Sequence, residues 1–416
     1  EIGVRLVGSE MCIRDSRWGT FWAVSGGWRI SNEAFLRDVS FLDDLKVRVG
    51  YGVTGNNNFS AGASTAMYSS NSMWPYNGTW ITSYGPARNV NNDLHWEKKA
   101  ELNIGLDYAF LNNRLFGKFD IYKRRVSGML YNISVPNPPA VYEKTTMNYG
   151  NLENTGWEFE IGGVPVKTKD FNWTTTMRLS HSSSKITSLW GNNTYQDRVG
   201  FPSPGTNGSA GRIEAGTKIG SYYIWKYAGI TDNGRWLLYD KNDNVILSDK
   251  KTYDDKRYIG NAIPALMVSW DHTFTYKNLS LGINLRSWID FDVYNTINMY
   301  YGIQGQGNLN VLKDAYGKFN HIKGEKQICD YFLEDGTFLK IDAITLGYTL
   351  PMKKYTNNLI DRIRIYGTVG NVCTITGYSG MNPEVDITGW DKGTEKFWSD
   401  FYPVVRTWTL GMQFNF

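Results

Sequence analysis

The chain has 416 residues, which is enough for one large domain or for two to three ordinary ones. Its 44 lysines and arginines nearly balance 40 aspartates and glutamates, so its charge argues against a nucleic-acid-binding protein. No run of 18 apolar residues is present to form a transmembrane helix. Aromatic residues make up 15% of the chain beside 43 glycines, and this composition favours an all-β protein and excludes a disordered one.

Residues 1–16 differ in pattern from the rest of the chain. Their sequence, EIGVRLVGSEMCIRDS, does not alternate between apolar and polar residues, and it lacks the apolar core and the cleavage site of a signal peptide. The stretch LVGSEMCIRDS resembles translated sequencing-adapter DNA, and a short helix or strand linker is the alternative. We therefore exclude this segment from the fold prediction and expect the natural protein to continue upstream.

From residue 17 onward, apolar residues recur at every second position, which is the period of a β-strand. This period predicts about eleven strands, near 18–30, 41–54, 100–111, 114–126, 155–167, 171–185, 263–277, 279–292, 333–350, 361–376 and 402–416. The last one shows the pattern most clearly, with one face formed by Trp408, Leu410, Met412, Phe414 and Phe416. The opposite faces of other strands carry charged residues at mid-strand, among them Lys46, Arg48, Glu158, Arg178 and Arg286.

The connections between these strands alternate in length. Short polar turns are predicted at 112–113, 167–170 and 277–278, with a longer one at 352–361. Long segments rich in glycine, asparagine and aromatic residues lie between them, at roughly 55–99, 127–154, 186–262, 293–332 and 377–401. The segment 186–262 is expected to hold its own hairpin, Tyr222–Ile230 against Arg235–Tyr239. Tight turns at one end and long loops at the other are typical of a transmembrane β-barrel.

Eight local patterns follow one another in residues 17–416. They are WGTFWAVSGGWRISNEAFL (18–36), LKVRVGYGVTGN (45–56), LHWEKKAELNIGLDYAFLNNRLFGKFDIYKR (94–124), GNLENTGWEFEI (150–161), IGSYYIWKYAGI (219–230), YIGNAIPALMVSW (258–270), FLEDGTFLKIDAITLGYTLP (332–351) and YPVVRTWTLGMQFNF (402–416). In this order they resemble the C-terminal part of a SusC/RagA-type TonB-dependent outer-membrane transporter of Bacteroidota.

The resemblance implies an antiparallel 22-stranded barrel in the outer membrane, of which this chain supplies about half. It further implies uptake of oligosaccharides or peptides, energised by a TonB complex that contacts an N-terminal part not found in this sequence. A SusD-like surface lipoprotein is the implied partner outside the cell, and the barrel-assembly machinery is the implied partner during insertion. No cofactor and no nucleic acid are implied.

Several residues are candidates for specific roles. Trp74, Tyr76 and Trp80 lie in the long loop 55–99, where their rings offer flat apolar faces on which the sugar rings of a substrate can stack. The alternative is that they pack the loop against itself or against the lipoprotein lid. Phe416 ends the last strand and resembles the recognition signal of the barrel-assembly machinery. Trp408, Leu410, Met412 and Phe414 are expected to face membrane lipid.

No catalytic signature supports an enzyme. The sequence lacks HExxH, GxSxG and Walker A motifs. Its cysteines and histidines show no spacing typical of a metal site, and a bond between Cys329 and Cys373 is possible but not favoured. A soluble secreted carbohydrate-binding or hydrolytic β-domain is the alternative function, and an adhesin or passive pore is a third. The orientation of the two strand faces distinguishes them, because a soluble protein hides its apolar face inside.

Overall fold

The computed structural model describes residues 2–10, 18–56, 65–191, 195–197, 210–304, 310–357, 359–384 and 404–416. In chain order, its strands are β1 (Ile2–Glu10), β2 (Trp18–Arg29), β3 (Leu42–Asn56), β4 (Tyr68–Tyr76), β5 (Thr79–Pro86), β6 (Glu97–Phe110), β7 (Leu115–Ser134), β8 (Lys144–Lys167), β9 (Phe171–Leu189), β10 (Tyr195–Asp197), β11 (Arg212–Glu214), β12 (Ser221–Ile224), β13 (Tyr227–Ile230), β14 (Trp236–Tyr239), β15 (Val245–Leu247), β16 (Arg257–Asn261), β17 (Leu266–Tyr276), β18 (Leu279–Ile289), β19 (Asp292–Tyr294), β20 (Leu333–Asp335), β21 (Phe338–Pro351), β22 (Arg362–Thr376) and β23 (Thr407–Asn415).

Helical structure is sparse in these ranges. There is one α-helix, α1 (Thr296–Tyr301), and short 3-10 turns lie at Ile30–Asn32, Ser248–Lys250, Tyr253–Asp255, Lys313–Ala315 and Asp330–Phe332. No helix in the described part of the chain is long and apolar enough to span a membrane.

Twelve strands form one antiparallel sheet, which we call the main sheet. Their order is β1-β2-β3-β6-β7-β8-β9-β17-β18-β21-β22-β23. The outermost strands, β1 and β23, each pair with one neighbour within the described residues, so the sheet is open rather than closed on itself. This open antiparallel sheet agrees with the incomplete barrel that the sequence predicts.

The connections differ between the two ends of the main sheet. At the turn end, neighbouring strands are joined by short segments such as 111–114, 168–170 and 277–278. Asn112, Asn113 and Lys277 adopt the left-handed backbone conformation that such tight turns require. At the loop end, the connections are as long as 190–265 and 290–337. The predicted alternation of short and long connections is therefore present.

Strand β1 falls within residues 1–16, which the sequence analysis excludes from the fold. It pairs with β2 in register, from Ile2 opposite Gly26 to Glu10 opposite Trp18. The main sheet therefore has twelve strands where the sequence predicts about eleven. The foreign origin of residues 1–16 stays a prediction.

The segment 127–154 is mostly strand, although the sequence analysis expects a long loop there. Strands β7 and β8 remain paired as far as Ser134 opposite Lys144, which leaves only 135–143 as the connection. The register shifts near Met129, and Gly128 has a φ of +64°. This irregularity interrupts the two-residue period, so the alternation of apolar and polar residues does not predict that the strands continue here.

A compact layer covers the loop end of the main sheet. We call it the cap, and it consists of the described residues of 210–265 and 290–337. Three small sheets belong to it: β12 with β16, β13 with β14 and β15, and β19 with β20. Only β13 and β14 form the hairpin expected in 186–262, because Tyr222–Ile224 pairs with β16 instead.

Candidate functional site

One face of the main sheet carries most of its charged residues, and we call it the charged face. Paired residues of neighbouring strands lie on the same side of a sheet, so the register identifies its members. A single row crosses eight strands through Lys46, Asp107, Lys118, Glu160, Arg178, Ser269, Arg286 and Lys340.

Ion pairs connect the strands of this face. Arg48 of β3 contacts Asp107 of β6 at 2.8 Å and Asp120 of β7 at 3.1 Å. Arg178 of β9 joins Glu160 and Asp271, each at 2.7 Å. These side chains are partly buried and lie on the same side of neighbouring strands. The charged face is therefore a continuous polar surface rather than a set of isolated pairs, and we call this surface the polar wall.

An open cavity of about 700 Å³ lies against the polar wall. It is lined by small residues of β2 and β3 (Ser25, Gly26, Gly27 and Gly50), by Val49, and by the polar residues Arg29, Asn32, Lys46, Arg48 and Asn103. This space is polar and holds no aromatic ring, so the wall here offers charges and amide groups to a ligand rather than a stacking platform.

The opposite face of the main sheet is apolar, and we call it the apolar face. One register row of it reads Val47, Leu106, Phe119, Phe159, Leu179 and Val268. Its side chains are uncovered: Ile104 is 42% exposed and Leu346 is 52% exposed. The clusters of buried apolar residues found in the described chain lie in the cap and on the charged side, not on this face.

The apolar band has edges at both ends. Beyond Ile121, towards the loop end, the same face of the hairpin β7–β8 carries Lys123 and Arg125, which pair with Glu153 at 2.9 and 3.2 Å. Towards the turn end it carries the exposed rings of Tyr276 and Tyr348. Strand β17 has 11 residues, which at a barrel tilt covers roughly 25 Å, the height of the apolar band of an outer-membrane barrel.

The residues predicted to face lipid on the last strand lie on this apolar face. Trp408, Leu410, Met412 and Phe414 stand opposite Val369, Gly367, Ile365 and Ile363 of β22, respectively. They are 76%, 82%, 56% and 47% exposed. Phe416 follows the strand and is 86% exposed. Their contact with lipid and the role of Phe416 in assembly stay predictions.

The three aromatic residues proposed to contact substrate are exposed, but they do not share one surface. They belong to the hairpin β4–β5, in which Trp74 is paired with Ile81, Pro75 with Trp80, and Tyr76 with Thr79. Trp74 and Tyr76 therefore share one face and Trp80 lies on the other. The cause is the two-residue turn Asn77-Gly78, in which both residues have positive φ. Because Tyr76 pairs with Thr79 across this turn, odd-numbered residues of β5 next to the turn share a face with even-numbered residues of β4.

The cap is built like a water-soluble domain. Its core contains fully buried large side chains: Trp236, Leu238, Tyr294, Met299, Tyr300, Ile303 and Phe332. Burial raises the pKa of Tyr222, whose hydroxyl donates to the Asp292 carbonyl, and raises that of the Cys329 thiol to about 12. Burial also raises the pKa of Asp330, although the Tyr227 amide donates to this carboxylate at 2.6 Å.

Cys329 and Cys373 are both free thiols. Cys329 lies in the cap core, whereas Cys373 stands opposite Ile341 on the apolar face of the main sheet. Within the described ranges, no group of three or more histidine, cysteine, aspartate or glutamate residues is arranged to hold a metal ion.

A charge cluster at the loop end of the polar wall was not anticipated from the sequence. Arg286, Lys340 and Asp342 of β18 and β21 meet Glu384, which follows β22 in the chain. The alternating pattern places Lys340 on the charged face. A bulge between Ile341 and Ala343 interrupts the alternation at Asp342. Glu384 comes from a loop, and no local pattern indicates its partners.

Comparisons with known proteins support the resemblance drawn from the sequence. No protein-family model matches the chain. The TonB-dependent receptor SusC of Bacteroides thetaiotaomicron is 31% identical over 431 residues, which cover 99% of this chain and 42% of the relative. The TonB-dependent receptor P3 of Formosa agariphila is 25% identical, and the match covers 98% of this chain and 43% of the relative.

Solved structures show the same fold. A structure of the RagAB peptide transporter matches with a TM-score of 0.79 at 23% identity, covering 96% of this chain and 44% of that one. A RagAB peptide importer in the "closed-closed" state matches with a TM-score of 0.81 at 24% identity, covering 99% and 45%. The chain therefore spans less than half the length of the proteins it resembles. The predicted barrel fold, family resemblance and outer-membrane location are confirmed.

Proposed function

We propose that this chain, which resembles SusC/RagA-type TonB-dependent receptors in sequence and fold, forms part of a barrel that imports oligosaccharides or peptides through the outer membrane. The charged face lines the lumen, and the apolar face contacts lipid. The driving energy comes from a TonB complex, which acts through parts of the receptor outside this chain. We assign no enzymatic step to these residues.

The observation that carries this proposal is the distribution of side chains between the two faces of the main sheet. Charges linked by ion pairs cover one face, as in Arg48 with Asp107 and Asp120. Uncovered apolar rings and aliphatic side chains cover the other. In water, this arrangement would leave a wide apolar band exposed, whereas in a bilayer it places apolar groups in lipid and charges in a hydrated lumen.

The same distribution argues against the alternative, a soluble secreted carbohydrate-binding or hydrolytic β-domain. Such a domain packs its apolar sheet face against a second layer. The cap does not supply that layer, because it lies at the loop end and buries its own core. In the described chain, the apolar face of the main sheet has no protein partner in a buried cluster.

Three further assignments complete the proposal. A SusD-like surface lipoprotein docks at the loop end, above the cap, and retains substrate there. Trp74 and Tyr76 contact substrate or this lipoprotein from one side of the hairpin β4–β5, and Trp80 does so from the other. The barrel-assembly machinery recognises the last strand, which ends in Phe416.

Uptake by living cells tests the proposal. Cells with and without the full-length receptor that contains this chain are given fluorescent oligosaccharides or peptides, with and without a protonophore. We expect accumulation that requires both the receptor and the proton gradient, and we expect the receptor in the outer-membrane fraction after a carbonate wash. Accumulation that persists with the protonophore, or a receptor released by carbonate, would contradict the proposal.

A further inference from the structure

The charge cluster at the loop end of the polar wall joins two strands of the main sheet to a loop. Arg286 of β18 donates to Asp342 of β21 through two nitrogens, at 2.9 and 3.1 Å. Lys340 of β21 stands directly opposite Arg286 and lies 3.7 Å from Asp342. These three wall residues carry two positive charges and one negative charge. The fourth member, Glu384, belongs to the segment that follows β22.

Glu384 completes the cluster with both of its carboxylate oxygens. One oxygen lies 2.5 Å from Arg286 Nη1, and the other accepts a hydrogen bond from Lys340 Nζ at 2.7 Å. The Lys340 side chain is only 6% exposed and that of Glu384 is 14% exposed. A nearly buried ammonium group is stabilised by neighbouring negative charge. Asp342 is shared between Arg286 and Lys340 and balances only one of their two positive charges, so a second carboxylate at the position of Glu384 offsets the other.

The segment that carries Glu384 is fixed at a second point. Tyr378 packs into a small core with Phe291, Val293 and Phe338, at the base of the cap. The next residue, Ser379, donates to Glu334 at 2.8 Å. Segment 378–384 therefore lies folded against the wall between an apolar anchor and an ionic one, and Glu384 is its only charged contact with the wall trio.

These contacts identify Glu384 as the replaceable member of the cluster. The other three residues sit on paired strands of the main sheet and cannot leave without breaking the sheet. Glu384 sits on a connection, and its loss would leave a net positive charge at the loop end of the lumen wall. That end is the one a substrate reaches first when it enters from outside.

Resting on the proposed function, we infer that Arg286, Lys340 and Asp342 form a receptor for the carboxylate group of an imported substrate, and that Glu384 occupies this receptor until the substrate displaces it. A carboxylate with two oxygens reproduces both contacts of Glu384, one to a guanidinium and one to an ammonium group. The free C-terminus of a peptide and the carboxylate of an acidic sugar both supply this chemistry. Displacement releases segment 378–384 at its ionic anchor.

The test measures binding to the full-length purified receptor with paired ligands. One pair is a short peptide with a free C-terminal carboxylate and the same peptide as its amide. The other pair is a uronic-acid-containing oligosaccharide and its neutral counterpart. The acid-to-neutral affinity ratio of each pair reports the carboxylate receptor, and the pair that shows a ratio above one identifies the source of the carboxylate.

We expect Glu384→Gln to raise this ratio by roughly tenfold or more, because the variant removes an internal competitor for two charge-assisted hydrogen bonds. Adding Lys340→Met to the Glu384→Gln variant should cancel the gain. Glu160→Gln is the matched control, since Glu160 pairs with Arg178 on the same wall but outside the cluster, and it should leave the ratio unchanged. Glu384→Asp, which keeps the charge on a shorter side chain, should give a smaller gain.

A ratio that stays at its wild-type value in both Glu384 variants would overturn the inference, as would equal weakening of acid and neutral ligands. Failure of this inference is separable from failure of the proposed function. If uptake requires the receptor and the proton gradient while the ratio does not respond to Glu384, only the carboxylate receptor is wrong. If uptake does not require them while the ratio responds, the site stands and the transport assignment is wrong.

Discussion

The cap and the main sheet differ in how far they bury residues of the same type. Trp236 in the cap is 0% exposed and packs among Tyr227, Tyr331 and Phe332. Trp408 in the main sheet is 76% exposed and lies on a face that no layer of the described residues covers. The cap therefore buries its apolar side chains in a core, whereas the main sheet leaves them exposed on its apolar face. This difference is the one expected if the cap lies in water and the apolar face of the sheet contacts lipid, as proposed above.

The polar residues show the same contrast. In the cap, the buried Tyr294 hydroxyl binds a backbone group, donating to the Cys329 carbonyl at 2.9 Å. In the main sheet, charged side chains bind to one another across strands, as Arg178 does with Glu160 and Asp271. A row of charges at mid-strand is stable where water reaches it, which agrees with the proposed hydrated lumen on the charged side of the sheet.

The largest expected change in stability distinguishes a tryptophan of the cap from a tryptophan of the main sheet. Trp236→Ala should destabilise the cap by about 3–5 kcal/mol, because it opens a cavity in a closed core. Trp408→Ala should have a much smaller effect on the cap, since this ring belongs to none of the buried clusters of the described residues. Hydrogen exchange of cap amides in the full-length receptor measures both. Equal loss of protection in the two variants would remove the distinction between the regions.

The next effect separates the two faces of a single strand. Leu346 lies on the apolar face, opposite Leu281, and its neighbour Thr345 lies on the charged face, opposite Thr368. Leu346→Arg should cost about 2–4 kcal/mol near the bilayer midplane, because it places a charge in lipid. Thr345→Arg should cost less, since its side chain enters the hydrated lumen. Denaturant unfolding in liposomes gives both values, and a larger loss for Thr345→Arg would reverse the assignment of the faces.

The smallest effect is a pH dependence within the cap. Burial raises the pKa of Asp330 in the folded cap, so the folded state binds a proton more readily than the unfolded state. This contribution to stability is greatest below the unfolded pKa and is lost as pH rises through the folded pKa. Asp330→Asn should therefore gain stability relative to the wild type as pH rises from acidic to neutral.

Asp240 provides a control of opposite sign. The Asn244 side chain donates to it, and this bond lowers the pKa of the Asp240 carboxyl. Its contribution is present above the unfolded pKa and lost as pH falls, so Asp240→Asn should lose stability relative to the wild type as pH rises. Thermal unfolding of the cap at several pH values measures both variants. Slopes of the same sign would show that burial does not govern Asp330.

Much of the main sheet is predictable because strand alternation is a local property. The faces of β23 follow from residues 407–415 alone, and the mid-strand charges of β3 and β9 indicate a hydrated side without any tertiary information. The β4–β5 hairpin shows that residue spacing alone does not predict which side chains share a face across a turn. Trp74, Tyr76 and Trp80 share even spacing, but the turn at Asn77-Gly78 moves Trp80 to the other face. The Asn-Gly pair is itself a sequence signal for that reversal.

Other features depend on contacts between distant segments. Glu384 meets Lys340 across 44 positions, and a bulge at Asp342 adjusts the wall at that point. The cap core joins residues from before β17 and after β18, so its membership cannot be read from either segment. The irregular pairing near Met129 likewise interrupts the alternation of apolar and polar residues, so the full length of β7 and β8 is not predictable from it.

The most direct test of the account measures which face of the main sheet meets lipid. Spin labels are placed one at a time at positions 102–107 of β6 in the full-length receptor, reconstituted in a bilayer. Labels at Leu102, Ile104 and Leu106 should collide with oxygen dissolved in lipid, and labels at Asn103, Gly105 and Asp107 should collide with a water-soluble nickel complex. Alternation in this sense supports a lipid-facing apolar band around a polar lumen. Alternation in the reverse sense, or water access at all six positions, would contradict it.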